Sequence, residues 1–366
     1  MKKIISFPNF GNYYIPLKEF LSRISKCKVI TAPKNTRKTL DIGSKYAPDF
    51  VCLPFKYTLG NYIESINNGA NILVQAGGGC RYGYYGEVQE QILKDLGYNI
   101  KFINLMDKGS FSLIKFYKEA KKLNKNLNFP YFLYYVITTL VTMICMDNID
   151  KYVRKNLKHE INKGSLNRIR DRFLKFIPNN FSFINIIRLY YRNKKEMKFC
   201  IDKNIDNSKL KIGLLGELFS LIEGSSSYNI EEYLMSKNIE VKRYTNITYL
   251  LITKKFNERS ILKKSRNFSK YKLGADSSDN IAHAITLANE NFDGIIHMKP
   301  FSCSPEINTV PILQKVSEEY DIPVLFLTFD SQYSKGAIDT RIEAFIDMLE
   351  MRKESNTNEE KVLSRS

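Results

Sequence analysis

The sequence predicts an α/β protein built as two Rossmann-like parallel-sheet halves with a basic helical insertion between them. Short apolar runs alternate with helix-period stretches up to residue 107 and again from about residue 210, the pattern of parallel strands joined by helical crossovers. Residues 108–205 lose the strand-like runs and hold 21 Lys and Arg against 7 Asp and Glu. At 366 residues the chain is long for one core, which favours division. The expected boundaries are a first half at 1–107, the insertion at 108–205, a second half at 206–354, and a polar tail at 355–366 read as disordered.

In the first half, Lys3 to Phe7 reads as a strand, Ile15 to Ile24 as a helix, and Lys28 to Thr31 as a second strand. A helix from Thr36 to Lys45 follows. Phe50-Val51-Cys52 reads as a short strand that stops at Leu53-Pro54, and Leu59 to Asn67 as the next helix. Ile72 to Ala76 is an apolar strand that runs into Gly77-Gly78-Gly79-Cys80-Arg81-Tyr82-Gly83, after which Val88 to Leu96 is amphipathic. Ile100 to Ile103 closes this half. In the insertion, helical periods cover Phe111 to Leu123, Tyr131 to Lys158, Leu166 to Phe176 and Phe183 to Cys200. The second half restarts at Leu210 to Glu217 as strand and turn. It continues through a helix at Ile230 to Met235, a strand at Ile239 to Tyr244, and a weakly patterned basic stretch at 254–272 read as loop or frayed helix. Ser278-Asp279-Asn280 caps a helix over Ile281 to Asn289. Strand Ile295 to Met298, helix Ile307 to Tyr320, strand Pro323 to Phe329 and helix Thr340 to Met351 complete it.

The net charge of +18 is concentrated. Besides the insertion, 254–272 holds eight basic residues against one acidic, while the chain from Leu273 onward holds eight against sixteen. The insertion reads first as solvated helix faces around an apolar interior. Its other reading is a nucleic-acid or anionic-surface binding module, with Tyr134, Tyr135, Tyr190 and Tyr191 among the charges. Nucleic acid and membrane are not the partners expected. Tyr131 to Met146 is the most membrane-like run, but it is short for a span and carries three threonines, so a buried or interface helix is expected, with an interfacial helix as the alternative. Met1-Lys2-Lys3 leads to Pro8 without the apolar stretch of a secretory signal, so the cytoplasm is the expected location. Three scattered histidines exclude a His-based triad or zinc set, and no phosphate-loop lysine motif is present.

Six cysteines are present, with no CxxC spacing. Cys52, Cys80 and Cys303 each read as lying past a strand, beside Pro or Gly, with a helix just beyond. In open α/β sheets ligands bind outside the carboxyl ends of strands, so the three thiols can converge if the halves face each other. Thiolates from separate loops select iron–sulfur clusters or zinc. Taken singly, each cysteine also fits a small buried residue. Cys27, Cys145 and Cys200 lack this setting.

Ala47-Pro48-Asp49-Phe50-Val51-Cys52-Leu53-Pro54-Phe55-Lys56, then Leu59-Gly60-Asn61-Tyr62 and Gly77 to Val88, resemble the proteins related to the 2-hydroxyacyl-CoA dehydratase D-component, the CoA-protein activase family. Pro300 to Glu306 is similar to their third cysteine motif, and Ile322 to Asp330 with Thr340 to Phe345 to their C-terminal signature. The resemblance implies a [4Fe–4S] cluster held by Cys52, Cys80 and Cys303. It also implies low-potential electron transfer or a dehydratase-like subunit, typical of anaerobic chemistry. The implied partners are an ATP-hydrolysing activase, a paired dehydratase-like subunit and, as ligand, an acyl-CoA. Around the cysteines, Lys56 and Arg81 read as charges that offset the cluster or meet a CoA phosphate, or as plain surface charge. Gly78 and Gly79 read as room for the cluster. Glu87 and Glu306 read as helix-dipole partners, with proton relay or cluster support as the alternative.

Overall fold

Ile4–Ser6 (β1) and Ile72–Gln75 (β3) are almost wholly buried strands, as a parallel sheet covered on both faces requires. With Lys28–Val29 (β2) and Lys101–Asn104 (β4) they form an all-parallel sheet in the order β2-β1-β3-β4. The computed structural model describes residues 2–363 apart from 79, 108, 109, 207 and 333. The crossovers of this sheet are helices Tyr14–Ser25 (α1), Arg37–Tyr46 (α2), Leu53–Asn67 (α3) and Tyr85–Asp95 (α4). Thr36 starts α2 with a capping box shared with Thr39. Phe55, Leu59, Tyr62, Ile63, Leu73 and Leu93 form the core between α3, α4 and the sheet. Phe50 to Cys52 is not a strand. The turn at Pro48–Val51 feeds directly into α3, and Pro54 near its first position has the φ a helix start needs.

A two-stranded antiparallel ribbon, Met106–Asp107 (β5) with Ser110–Phe111 (β6), leads into the helical segment. Its helices are Leu113–Leu123 (α5), Phe129–Asn156 (α6), Ser165–Phe176 (α7) and Phe183–Phe199 (α8). Phe20, Phe116 and Phe132 pack ring on ring where α1, α5 and α6 meet. The Tyr13 phenol donates to Asp147. The chain resolves into two compact units. Residues 1–150 and 164–199 form the first, so most of the basic segment packs with the first sheet. Residues 151–163 and 200–366 form the second.

In the second unit, Lys211–Gly216 (β7), Glu240–Arg243 (β8), Gly294–Pro300 (β9) and Val324–Phe329 (β10) make another all-parallel sheet, ordered β10-β9-β7-β8. Numbered from its own first strand, this is the order of the first sheet again. Helices Leu218–Ile222 (α9) and Ile230–Ser236 (α10) lead to β8, Lys254–Ser265 (α11) and Ser277–Asn289 (α12) to β9, and Ser304–Glu319 (α13) to β10. Of the two readings of 254–272, loop or frayed helix, the structure has the helix: α11 covers its first twelve residues and is extended backward by a π-turn at Tyr249–Thr253. Ile261 anchors it against Tyr249 and Ala282, a contact that its weak sequence periodicity did not reveal. The last helix, Lys335–Leu363 (α14), runs through much of the stretch read as disordered tail. Extending an existing helix needs no new nucleus, so polar residues can follow an apolar docking segment such as Ile338, Ile342 and Ile346.

Candidate functional site

The three cysteines occupy one local position. Cys52 is the residue before α3, Cys303 the residue before α13, and Cys80 the residue before a 3-10 turn, Arg81–Tyr84, that continues into α4. Each thiol therefore stands where unpaired helix N–H groups favour negative charge.

In the first unit, Gly77 takes a φ of 75°, a left-handed turn that suits glycine and turns the chain away from β3. Cys80 is exposed, and its Sγ accepts from the Tyr82 N–H at 3.4 Å. The Cys52 Sγ lies 2.6 Å from the Tyr85 hydroxyl. Tyr85 packs edge-on to Phe55 and beside Tyr82, with centroids 4.8 and 5.0 Å away. Burial pushes the Tyr85 phenol well above its usual range. Cys52 and then Cys80 push the same way, while Arg81 opposes them. The Tyr85 phenol thus lies against the Cys52 thiol and within electrostatic reach of Cys80.

The other residues named from sequence differ in setting. Lys56 is half-buried, and Arg81 and Glu87 are exposed. A Cβ on Gly78 would meet the Tyr82 ring at 3.1 Å. Gly79 lies outside the described residues. Two buried amides at the carboxyl edge of this sheet carried no sequence signal. Gln75, which ends β3, accepts from the Tyr62 hydroxyl at 2.5 Å, but its Nε2 has no partner. Asn35, past β2, has neither amide atom paired.

The second unit concentrates buried polar groups at the carboxyl edge of its sheet, where strand order reverses between β7 and β9. Gly216 ends β7 with a φ of 134°, and a Cβ there would lie 1.8 Å from the Met298 carbonyl oxygen. Asn280 on α12 receives the Gly216 N–H at 3.2 Å and donates to its carbonyl at 3.3 Å. The same amide donates to both Glu306 oxygens at 3.0 Å. His297 Nε2 lies 2.7 Å from Glu306 Oε2, and both side chains are buried. His297 is thus a core residue paired on one ring nitrogen only; its Nδ1 has no partner. Although Glu87 and Glu306 each stand third in a helix, Glu306 is the centre of a buried hydrogen-bond set and Glu87 is not.

Cys303 is buried beside this set. Burial pulls Lys299 down, against Cys303 and Glu306, which favour its charge. Glu217 caps α9, accepting from the N–H groups of Phe219 and Ser220 at 2.8 and 3.0 Å and from the Ser220 hydroxyl at 3.1 Å. Burial pushes its carboxyl up to about 7 despite those bonds. Asp276, the residue before α12, is pushed up to about 6 by burial, with Lys254 opposing. Lys254 reaches Asp276 at 3.1 Å and Asp279 at 2.9 Å. Burial disfavours its charge, yet the two carboxylates outweigh that and raise it. Clusters of shifted groups of this kind concentrate at functional sites.

Glu217, Lys254, Asp276, Asn280, His297 and Lys299 were not picked out as site residues from sequence. The available signals were Glu217 at a strand end after Gly216 and the polar start of α12. Among the described residues, no set of three or more His, Cys, Asp and Glu is grouped to hold a metal ion. A depression lined by Lys2, Lys3, Lys26, Lys28 and Lys125 lies at the amino edge of the first sheet, opposite the edge that carries Cys52 and Cys80.

Fold and site together define a doubly wound α/β protein with two like-ordered sheets and a cysteine heading the helix after the third strand of each. Residues 216–349 match the family described as 2-hydroxyglutaryl-CoA dehydratase, D-component. That segment begins at Gly216 and takes in Glu217, Asp276, Cys303 and Glu306, and over it the chain is similar to the D-component proteins. No curated protein matches the chain.

Proposed function

We propose that the chain is a dehydratase-like subunit that holds a cysteine-ligated [4Fe–4S] cluster through Cys52, Cys80 and Cys303. The observation that carries this reading is the shared placement of the three thiols, each at a helix start, with Cys303 inside the segment that matches the D-component family. The donor chemistry fits, because soft thiolates suit iron–sulfur clusters and helix N-termini favour the thiolate form. Bound there, a cluster supplies low-potential electron transfer. Tyr85 would donate a hydrogen bond to the Cys52 sulfur, and Lys299 and Arg81 would offset negative charge near Cys303 and Cys80. Three protein ligands leave one coordination position for a substrate or an exogenous ligand. The partners proposed are a second dehydratase-like subunit and an ATP-hydrolysing activase that delivers the electron, with an acyl-CoA as the candidate ligand.

Anaerobic purification tests this. The expected result is a brown protein with about four irons per chain and an EPR signal on reduction. Cys52→Ala, Cys80→Ala and Cys303→Ala should each lose iron, while Cys145→Ala, in the core of α6, should keep it. An iron-free wild-type protein from anaerobic cells, after reconstitution with iron and sulfide, refutes the proposal.

A further inference from the structure

Helix α8 exposes an unusual face. Ile184, Tyr191 and Phe199 are 60, 64 and 74% exposed, although each is large and apolar. At spacings of seven and eight residues they lie along one line of the helix, about 22 Å from end to end at 1.5 Å per residue. Arg188, Arg192, Lys195 and Lys198 are exposed on the same stripe, between and beside these three. The sole carboxylate of α8, Glu196, is turned to Arg172. The face continues onto α6: the Phe183 N–H donates to the Tyr134 hydroxyl at 3.3 Å, and Tyr134 and Ile137 are exposed. The first eighteen residues of α6 contain no charge, and Phe129–His159 is long and apolar enough to cross a bilayer, yet less than half of its most apolar stretch is buried.

We propose that the α8 face, with the exposed start of α6, docks on an anionic lipid surface. Interfacial helices place apolar side chains into the headgroup boundary while Lys and Arg meet lipid phosphates, and long basic side chains extend toward the headgroups from beside apolar anchors. The alternation on α8 has that form. A protein groove would favour an apolar centre depleted of lysine, with charges at the rim. A nucleic-acid backbone would engage the cations but give Ile184 nothing to bury against. This inference is independent of the cluster.

The test is co-sedimentation of the full chain with vesicles of neutral phosphatidylcholine or of phosphatidylcholine with about a third phosphatidylglycerol, a fraction chosen to give the surface potential that attracts basic segments. The expected result is binding to the anionic vesicles only, weakened by salt. Each cation near such a surface contributes about five-fold, so Arg188→Gln with Lys195→Gln and Lys198→Gln should weaken binding about a hundred-fold. Tyr191→Ser with Phe199→Ser should also weaken it, with circular dichroism and thermal midpoint unchanged. Four outcomes overturn the proposal. These are no vesicle binding, equal binding to neutral vesicles, unchanged binding by the charge variant, or a concentration-dependent dimer that Tyr191→Ser with Phe199→Ser dissolves, which would make a second copy the occupant.

Discussion

Glu217 offers a direct test of the buried polar edge in the second unit. Its carboxyl is raised from 4.5 to about 7, because burial outweighs the three hydrogen bonds it accepts. The folded state therefore keeps a proton that the unfolded chain releases near pH 4.5. The resulting stabilisation is complete below that pH and is lost as pH rises through about 7. A shift of that size corresponds to about 3 kcal/mol, and the part of the residue that reaches solvent trims this to about 2. Glu217→Gln keeps the shape and an oxygen acceptor but cannot titrate. Urea unfolding of both proteins from pH 5 to 8, followed by far-ultraviolet circular dichroism, gives the comparison. His283 slopes the other way. Burial holds it down at about 3, so its contribution is present above pH 6.5 and lost as pH falls toward 3. Both proteins contain His283, so it cancels in the difference. Wild type should lose about 2 kcal/mol relative to Glu217→Gln between pH 5 and 8. Parallel profiles within about 0.5 kcal/mol, the usual scatter of such extrapolations, would refute the argument.

Glu306→Ala should destabilise the second unit by about 3 kcal/mol or more, since it strands the buried His297 and Asn280 together. Glu306→Gln should recover part of that loss, and equal unfolding midpoints for Ala and wild type would contradict the assigned network. Gly216→Ala should be worse, because the new Cβ collides with the Met298 carbonyl and β7 must part from β9. Soluble yield and thermal midpoint report this, and an Ala variant melting within a few degrees of wild type would show that the strand end has room.

The fold was legible where period and punctuation agreed. Ile72 to Gln75 before the glycine turn, Ile295 to Met298 before Pro300, and the four helices of the basic segment all lie within a few residues of where their patterns put them. The misreadings have physical causes. Phe50-Val51 has strand-like side chains, but Pro54 fixes a helix start two residues later and the exposed Phe50 packs on no sheet. Helix α11 reads in sequence as either loop or frayed helix because it is polar along most of its length and is recruited by a few contacts, chiefly Ile261 and Lys254. The cysteine positions and Glu306 stood out in sequence, whereas the other carboxylates and the amides of the second unit's polar edge did not. Glu217, Asp276 and Asn280 are ordinary cap and helix residues in sequence, and acquire their character from burial by strands and helices far along the chain.

The repeated sheet order lets the halves be compared position by position. Cys80 and Cys303 each head the helix that follows the third strand of their sheet, and Glu87 and Glu306 each come third in that helix. The helix leading into that third strand begins after Cys52 in the first half and after Asp276 in the second. The same two helix starts thus carry two thiols in one half and a thiol with a carboxylate in the other. The neighbours diverge in step. The first half sets Tyr85 against the Cys52 thiol, while the second sets Lys254 on Asp276 and a buried Glu306–His297 pair near Cys303. Soft donors concentrate in the first half and proton-carrying groups in the second. A single duplicated topology can hold both because each needs only two helix starts at the edge where the strand order reverses.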